Sequence, residues 1–284
     1  MSETLSANEA LCLQALREMD RDRYLASLLS PADRRSAVTA LYAYNAELAR
    51  IRDVAREPLP GEIRLQYWRD LLGGAAHGET SANPVASELL RAMETWRLPV
   101  SPLMAMTEAR IFDLYDDPME TTAMFEGYAG ETAAALVQLV CLVLDAEAAE
   151  GVAEIVGHAG VALSVAGAIL LLPTHHARGQ LYLPTEILAA AGLDRESFLG
   201  IGDDARRSAA IEAFAGFGLD HLRKARAAGR LPKSLVAAFL PVTLAEPVLK
   251  QARKMGGGCL SSDLRPSQWR RQLAMMRLLL TGRL

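Results

Sequence analysis

A chain of 284 residues with 51% hydrophobic and 23% charged side chains can build a sizeable core, which excludes bulk disorder. Thirty Lys and Arg against 34 Asp and Glu leave a formal charge of −4, which argues against a general nucleic-acid binder. Aromatic residues make up only 6%, and Ala and Leu dominate. Those side chains lose little rotamer freedom in a helix, whereas strands favour β-branched and aromatic residues.

Residues 1–19 read as an N-terminal helix or arm with acidic residues and no apolar run of signal-peptide type. Pro31, after Ser30, is expected to open a long helix through Ala32–Arg56, with Ser30 as cap and Pro58 as terminator. Val38, Leu41, Tyr42, Leu48 and Ala49 share one face of it, with Asn45 as the polar interruption. Further helices are expected at Gly61–Gly73, Asn83–Trp96, Pro102–Asp116, Thr121–Val143 and Ala146–Leu172. Others follow at Pro184–Ala191, Ala205–Gly229, Lys233–Met255 and Pro266–Leu280. Val152–Leu172 is long enough to span a bilayer, but Glu154, His158, diluting Ala and Gly and a stop at Pro173 favour a buried core helix. Only Gln180–Leu183 is β-like, and it is too short for a sheet. With no repeat or long linker, residues 1–284 are expected to form one all-α domain, a bundle around a central helix pair.

The residues offer little for metal or nucleophilic chemistry. Cys12, Cys141 and Cys259 are far apart with no CxxC spacing, so the chain reads as cytoplasmic, without a zinc site or disulfide framework. His175 and His176 are adjacent and point in different directions, with no third ligand at a supporting spacing; cap or loop contacts are expected. No Ser-His-Asp set, P-loop or GxGxxG occurs. No catalytic residue, metal or cofactor is assigned. Asp113, Asp116 and Asp117 precede Pro118 at an expected helix end and are read as solvent-facing.

Several runs, in order and properly spaced, resemble the squalene/phytoene synthase family, the head-to-head prenyltransferases. They are Tyr24–Leu29, Leu41-Tyr42-Ala43-Tyr44, Glu62–Arg69, Tyr128-Ala129-Gly130 and, most specific, Arg178-Gly179-Gln180-Leu181-Tyr182-Leu183-Pro184, similar to an RGRxYLP signature. The resemblance implies an isoprenoid-synthase-like bundle around a central cavity. It also implies a reaction in which Mg²⁺, held by two aspartate-rich clusters, neutralises a leaving diphosphate. At the positions of the first cluster stand Ala49, Arg50 and Asp53, so only Asp53 keeps a carboxylate. At those of the second stand Gly167, Leu171, Thr174 and His175.

This degeneracy, with runs such as Asp20–Ala26, Glu57–Gln66 and Ile111–Pro118, resembles the alphaproteobacterial and mitochondrial branch linked to assembly of respiratory complex I. That branch implies a non-catalytic binding protein, with an isoprenoid lipid, a prenyl diphosphate or a complex I subunit as partner. The alternatives are an active prenyltransferase on farnesyl or geranylgeranyl diphosphate, and a helical scaffold with a filled core. Arg52 and Arg56, one turn apart, form either an anion clamp for diphosphate, with Arg178 as a further contact, or a salt-bridge ladder with Asp53 and Glu57. Tyr44, Ala49, Asp53, Gly167, Leu171, His175 and Tyr182 are the expected cavity lining. Residues 263–284 carry five arginines against one acid, with Trp269, Leu273, Met276 and Leu280 at helical spacing. Such a helix suits peripheral contact with an anionic inner membrane, docking on a partner, or packing on its own bundle.

Overall fold

A chain this rich in Ala and Leu forms helices throughout, and among the described residues no strand occurs. The computed structural model describes residues 6–55, 57–75, 82–115 and 117–284. In chain order the first helices are α1 (Ala7–Met19), α2 (Arg21–Leu28), α3 (Arg35–Val54), α4 (Pro58–Leu72), α5 (Pro84–Trp96) and α6 (Val100–Ala109). Then come α7 (Thr122–Ala129), α8 (Ala135–Leu144), α9 (Ala146–Glu150), α10 (Ala153–Leu170) and α11 (Leu172–Ala177). The remainder are α12 (Thr185–Ala190), α13 (Arg195–Leu199), α14 (Asp204–Ala227), α15 (Ala245–Met255) and α16 (Gln268–Thr281). A π-turn at Gly130–Ala134 joins α7 to α8.

The chain falls into two compact units, one of Met1–Tyr115, Ala135–Gly151 and Pro232–Ala238, the other of Asp116–Ala134, Val152–Leu231 and Phe239–Leu284. In the first, α3 is the core element and packs on α1, α2, α4, α5 and α8. Ala37, Ala40, Ala43 and Ala46 keep its surface small, while Leu41, Tyr42, Tyr44 and Leu48 fill the space between helices. Arg91 on α5 ties three helices together, reaching Glu88 on its own helix, Glu9 on α1 and the Ser36 hydroxyl on α3. α5 starts where Asn83 accepts hydrogen bonds from the N–H groups of Val85 (3.0 Å) and Ala86 (3.2 Å), with Pro84 in the first turn.

In the second unit α10 packs on α14 and α15 and against the π-turn. Small residues permit this. A Cβ on Gly160 would lie 2.5–2.6 Å from Ala134, its backbone included, and one on Gly218 would lie 2.9 Å from Val165. Edge-on contact of Phe125 with Phe214, 5.2 Å between centroids, closes the core between α7 and α14. Thr122–Leu144 and α10 are both long and apolar enough to cross a membrane, yet about half of each is buried inside the protein (56% and 50%). α10 rests on α14, which carries Glu212, Asp220, Arg223 and Lys224, so its burial is that of a core helix.

Several expected boundaries move. Ser30 does not cap α3; its hydroxyl donates to the Ala26 carbonyl (3.1 Å), and α3 starts four residues after Pro31. Pro173 does not end the helical path, because it occupies the first turn of α11, where its missing N–H is no loss. Ala146–Leu172 breaks at Gly151, and Lys233–Met255 begins as two 3-10 turns, Lys233–Phe239 and Pro241–Leu244. α13 was not expected; Asp194 caps it reciprocally with Ser197. The three cysteines are free and buried, and burial pushes the Cys12 and Cys141 thiols up to about 12.

The two glycines of α10 give a paired prediction. Gly160→Val forces Ala134 to move and should destabilise the protein by about 2 kcal/mol or more in urea denaturation. Gly167→Ala, whose Cβ meets nothing within 4 Å, should instead stabilise it by about 0.5–1 kcal/mol.

Candidate functional site

The first unit carries the motif residues of α3. Tyr44 is buried completely; its hydroxyl shares hydrogen bonds with Thr107 (2.6 Å) and the Leu103 carbonyl (2.8 Å), and its ring meets Trp68 edge-on. Burial pushes its phenol well above the usual range. One turn later the helix emerges: Ala49, Arg50, Asp53 and Val54 are exposed, and Ile51 is buried on the opposite side. Arg52 is half-buried and donates from Nη1 to the Ala55 carbonyl at 3.3 Å, at the C-terminal end of α3. That end of the helix dipole attracts a cation. Arg56 and Asp116 lie outside the described residues. Asp113 is not solvent-facing: it is buried against Arg110, with Nη1 3.0 Å from its carboxylate.

The second unit carries the rest. The amide of Leu171 donates to the Gly167 carbonyl (3.0 Å) and that of His175 to the Leu171 carbonyl (2.8 Å). Helical register therefore runs on from α10 into α11, and positions 167, 171 and 175 stack one turn apart. Leu171 is exposed, and the His175 ring lies 4.7 Å from the ring of Tyr182, which in turn lies 6.2 Å from Tyr128. The chain turns back between them at Gly179, whose φ of +71° is left-handed. The amide of Gln180 donates to the His175 carbonyl (2.8 Å), and Arg195 donates to the Gly179 carbonyl (2.9 Å). Arg178, at the C-terminal end of α11, is exposed. Among the described residues no group of three or more His, Cys, Asp or Glu is placed to share a metal ion.

A polar chain that was not expected crosses three helices of this unit. Glu126 on α7 lies 3.0 Å from His221 Nε2 on α14, and His221 Nδ1 lies 3.1 Å from His158 Nδ1 on α10. A carboxylate beside Nε2 keeps the proton there, so a neutral His221 accepts at Nδ1 from His158. Phe217 packs on the His221 ring, 4.7 Å between centroids. The sequence signal was His158, a polar residue set among mostly apolar positions of α10.

A squalene/phytoene synthase family model matches residues 16–277. The chain belongs to the squalene/phytoene synthase family. It is 30% identical to complex I assembly factor 6 of Bos taurus over 256 residues, 88% of this chain and 75% of that protein. The Homo sapiens assembly factor 6 gives 30% over 250 residues, 86% of this chain and 73% of that one. A 15-cis-phytoene synthase of Synechocystis is 24% identical over 210 residues, covering 70% and 62%. A dehydrosqualene synthase crystal structure superposes with a TM-score of 0.76 at 17% identity, covering 95% of each chain. A squalene synthase from Alicyclobacillus acidocaldarius gives 0.60 at 20% identity, covering 93% and 94%. The fold is therefore the all-α isoprenoid-synthase fold expected from the motif runs.

Within this family member the RGQLYLP run (178–184) acts first as a chain reversal that sets Tyr182 on His175. Gly179→Ala meets no neighbour, so its whole effect is backbone strain: a loss of about 1–2 kcal/mol in denaturation, with Gly179→Asn losing less. Burial, reinforced by His158 and Lys224 and opposed by Glu126 and Asp220, holds His221 below its ordinary value of 6.5. The unfolded chain then binds the proton more readily. This contribution to stability is full above about pH 6.5 and falls as pH drops toward the depressed folded value. His221→Gln should flatten the decline of Tm between pH 7.5 and 5.5 relative to the parent.

Proposed function

We propose that this family member does not ionise prenyl diphosphates and acts by binding, in the biogenesis of respiratory complex I at the inner membrane face. The observation that carries the reading is the donor set where the family resemblance places metal-holding acids. Ala49 and Arg50 on α3, with Gly167 on α10, Leu171 between α10 and α11, and Thr174 and His175 on α11, leave Asp53 as the one carboxylate at these positions. These residues do not fit a magnesium cluster, because Mg²⁺ takes oxygen ligands and departure of diphosphate needs its charge neutralised. An arginine in place of an acid works against it: at about 5 Å and an effective dielectric near 20, repulsion is about 3 kcal/mol per unit of cation charge.

The relatives named as complex I assembly factor 6, at 30% identity over most of both chains, support the assembly role. A complex I subunit or an isoprenoid lipid is the partner this reading favours. Within the first unit, Arg52 and Arg56 are proposed as anion contacts beside Ala49 and Asp53, whereas Tyr44, buried and committed to Thr107 and Leu103, is not a lining residue. Within the second unit, Arg178 is proposed as an anion contact, with Gly167, Leu171, His175 and Tyr182 as lining. Arg52 would have to give up its bond to the Ala55 carbonyl to do so.

Two measurements test this. Purified protein given farnesyl or geranylgeranyl diphosphate, with or without Mg²⁺ and NADPH, should release no diphosphate above background. Mg²⁺-dependent turnover near 1 s⁻¹ would overturn the reading and establish a prenyltransferase. Deleting the gene in its own host should lower assembled complex I on native gels, and the intact gene should restore it. Unchanged complex I would remove the assembly role.

A further inference from the structure

Helix α16 presents two unlike faces. Met275 and Leu278 are buried in the second unit, where the helix packs on the turn at Pro241–Leu244. At about 100° per residue these two point away from positions 269, 273, 276 and 280, which fall within about 60° of arc. The four side chains at those positions are Trp269, Leu273, Met276 and Leu280, and they are 61%, 61%, 43% and 82% exposed. A row of large apolar groups this open to water along one helix marks an interaction surface.

Charge says what covers it. Residues 263–284 hold five arginines and one acid, in a chain whose total charge is −4. Arg270 and Arg277 are exposed and flank one side of the apolar row; Arg265 precedes the helix and Arg283 follows it, both exposed. The Arg270 guanidinium carbon lies 5.3 Å from the Trp269 ring centroid, an arrangement in which the ring sits at a polar boundary while the cation reaches outward. Burial of Met275 and Leu278 holds the helix from behind, and the segment after it is anchored where Arg226 on α14, itself paired with Glu246 on α15, donates to the Leu284 carbonyl (3.0 Å). The apolar row is therefore presented, not loosely tethered.

We propose that the exposed face of α16 is a docking surface for an anionic lipid bilayer, with Trp269, Leu273, Met276 and Leu280 entering the headgroup boundary and the flanking arginines meeting lipid phosphates. The proposal deepens the membrane-side role proposed above, though its test uses no protein partner.

The whole protein is sedimented with vesicles of phosphatidylcholine alone and of phosphatidylcholine containing about 30% phosphatidylglycerol. It should pellet with the anionic vesicles, not the neutral ones, and 0.5 M salt should weaken the binding. Trp269 emission should shift to the blue, a shift that Trp269→Phe abolishes. Leu273→Ser with Leu280→Ser, and separately Arg270→Glu with Arg277→Glu, should each lower affinity about tenfold or more. All four positions are exposed, so both variants should keep the parent's circular dichroism and Tm. Absence of binding to anionic vesicles, equal binding to neutral ones, or binding undisturbed by both variants overturns the surface. Each of those results leaves the assembly role to be judged on complex I levels alone.

Discussion

Helix α10 can approach the turn at 130–134 and helix α14 only where no side chain stands between them. Gly160 and Gly218 occupy those points, and the rest of the second unit depends on the closeness they allow. The approach buries the apolar face of α10, brings His158 within hydrogen-bond reach of His221, and fixes where the end of α10 delivers Gly167, Leu171 and His175. Dispersion energy falls off steeply with distance, so a gap of half an ångström along this contact would forfeit a substantial part of the packing. Small residues at a helix contact thus act at a distance, by setting the frame in which the motif residues stand.

That frame does not depend on which groups stand at its motif positions. The family fold, the chain reversal at Gly179 and the one-turn ladder at 167, 171 and 175 are all present. A helix does not need aspartate at those positions to form; Leu and Ala are better helix formers than Asp, so exchanging acids for them places no burden on folding. The scaffold and the chemistry of the side chains at its motif positions are therefore physically separable. The His221 chain is different in kind. It is a buried polar contact that the fold must satisfy, since each ring nitrogen left unpaired there would carry a desolvation penalty.

Much of this was legible in the residues. Helix content followed from Ala and Leu periodicity, and most helices lie where the apolar spacing put them, with boundaries shifted by a few residues. The shifts have local causes: Ser30 bonds backward to Ala26, and Pro173 opens a helix because its lost N–H falls in a first turn where none is needed. The surroundings of the motif residues of α3 and of the α10–α11 path were not readable in the sequence. Tyr44 is committed to Thr107 and Leu103, more than fifty residues away, and Asp113 is drawn inward by Arg110.

By itself, then, the sequence determined the helical class, the family, and which chemical groups stand at each motif position, because composition, spacing and identity are properties of the chain alone. Only the tertiary structure decided which of those groups face water. Trp269, Leu273, Met276 and Leu280 have the same helical spacing as any core-facing stripe; they lie outward because Met275 and Leu278 are the residues α16 buries. Periodicity says that a helix has two faces. Which face is buried depends on the partner it packs against, and that partner is supplied by residues far away in the chain.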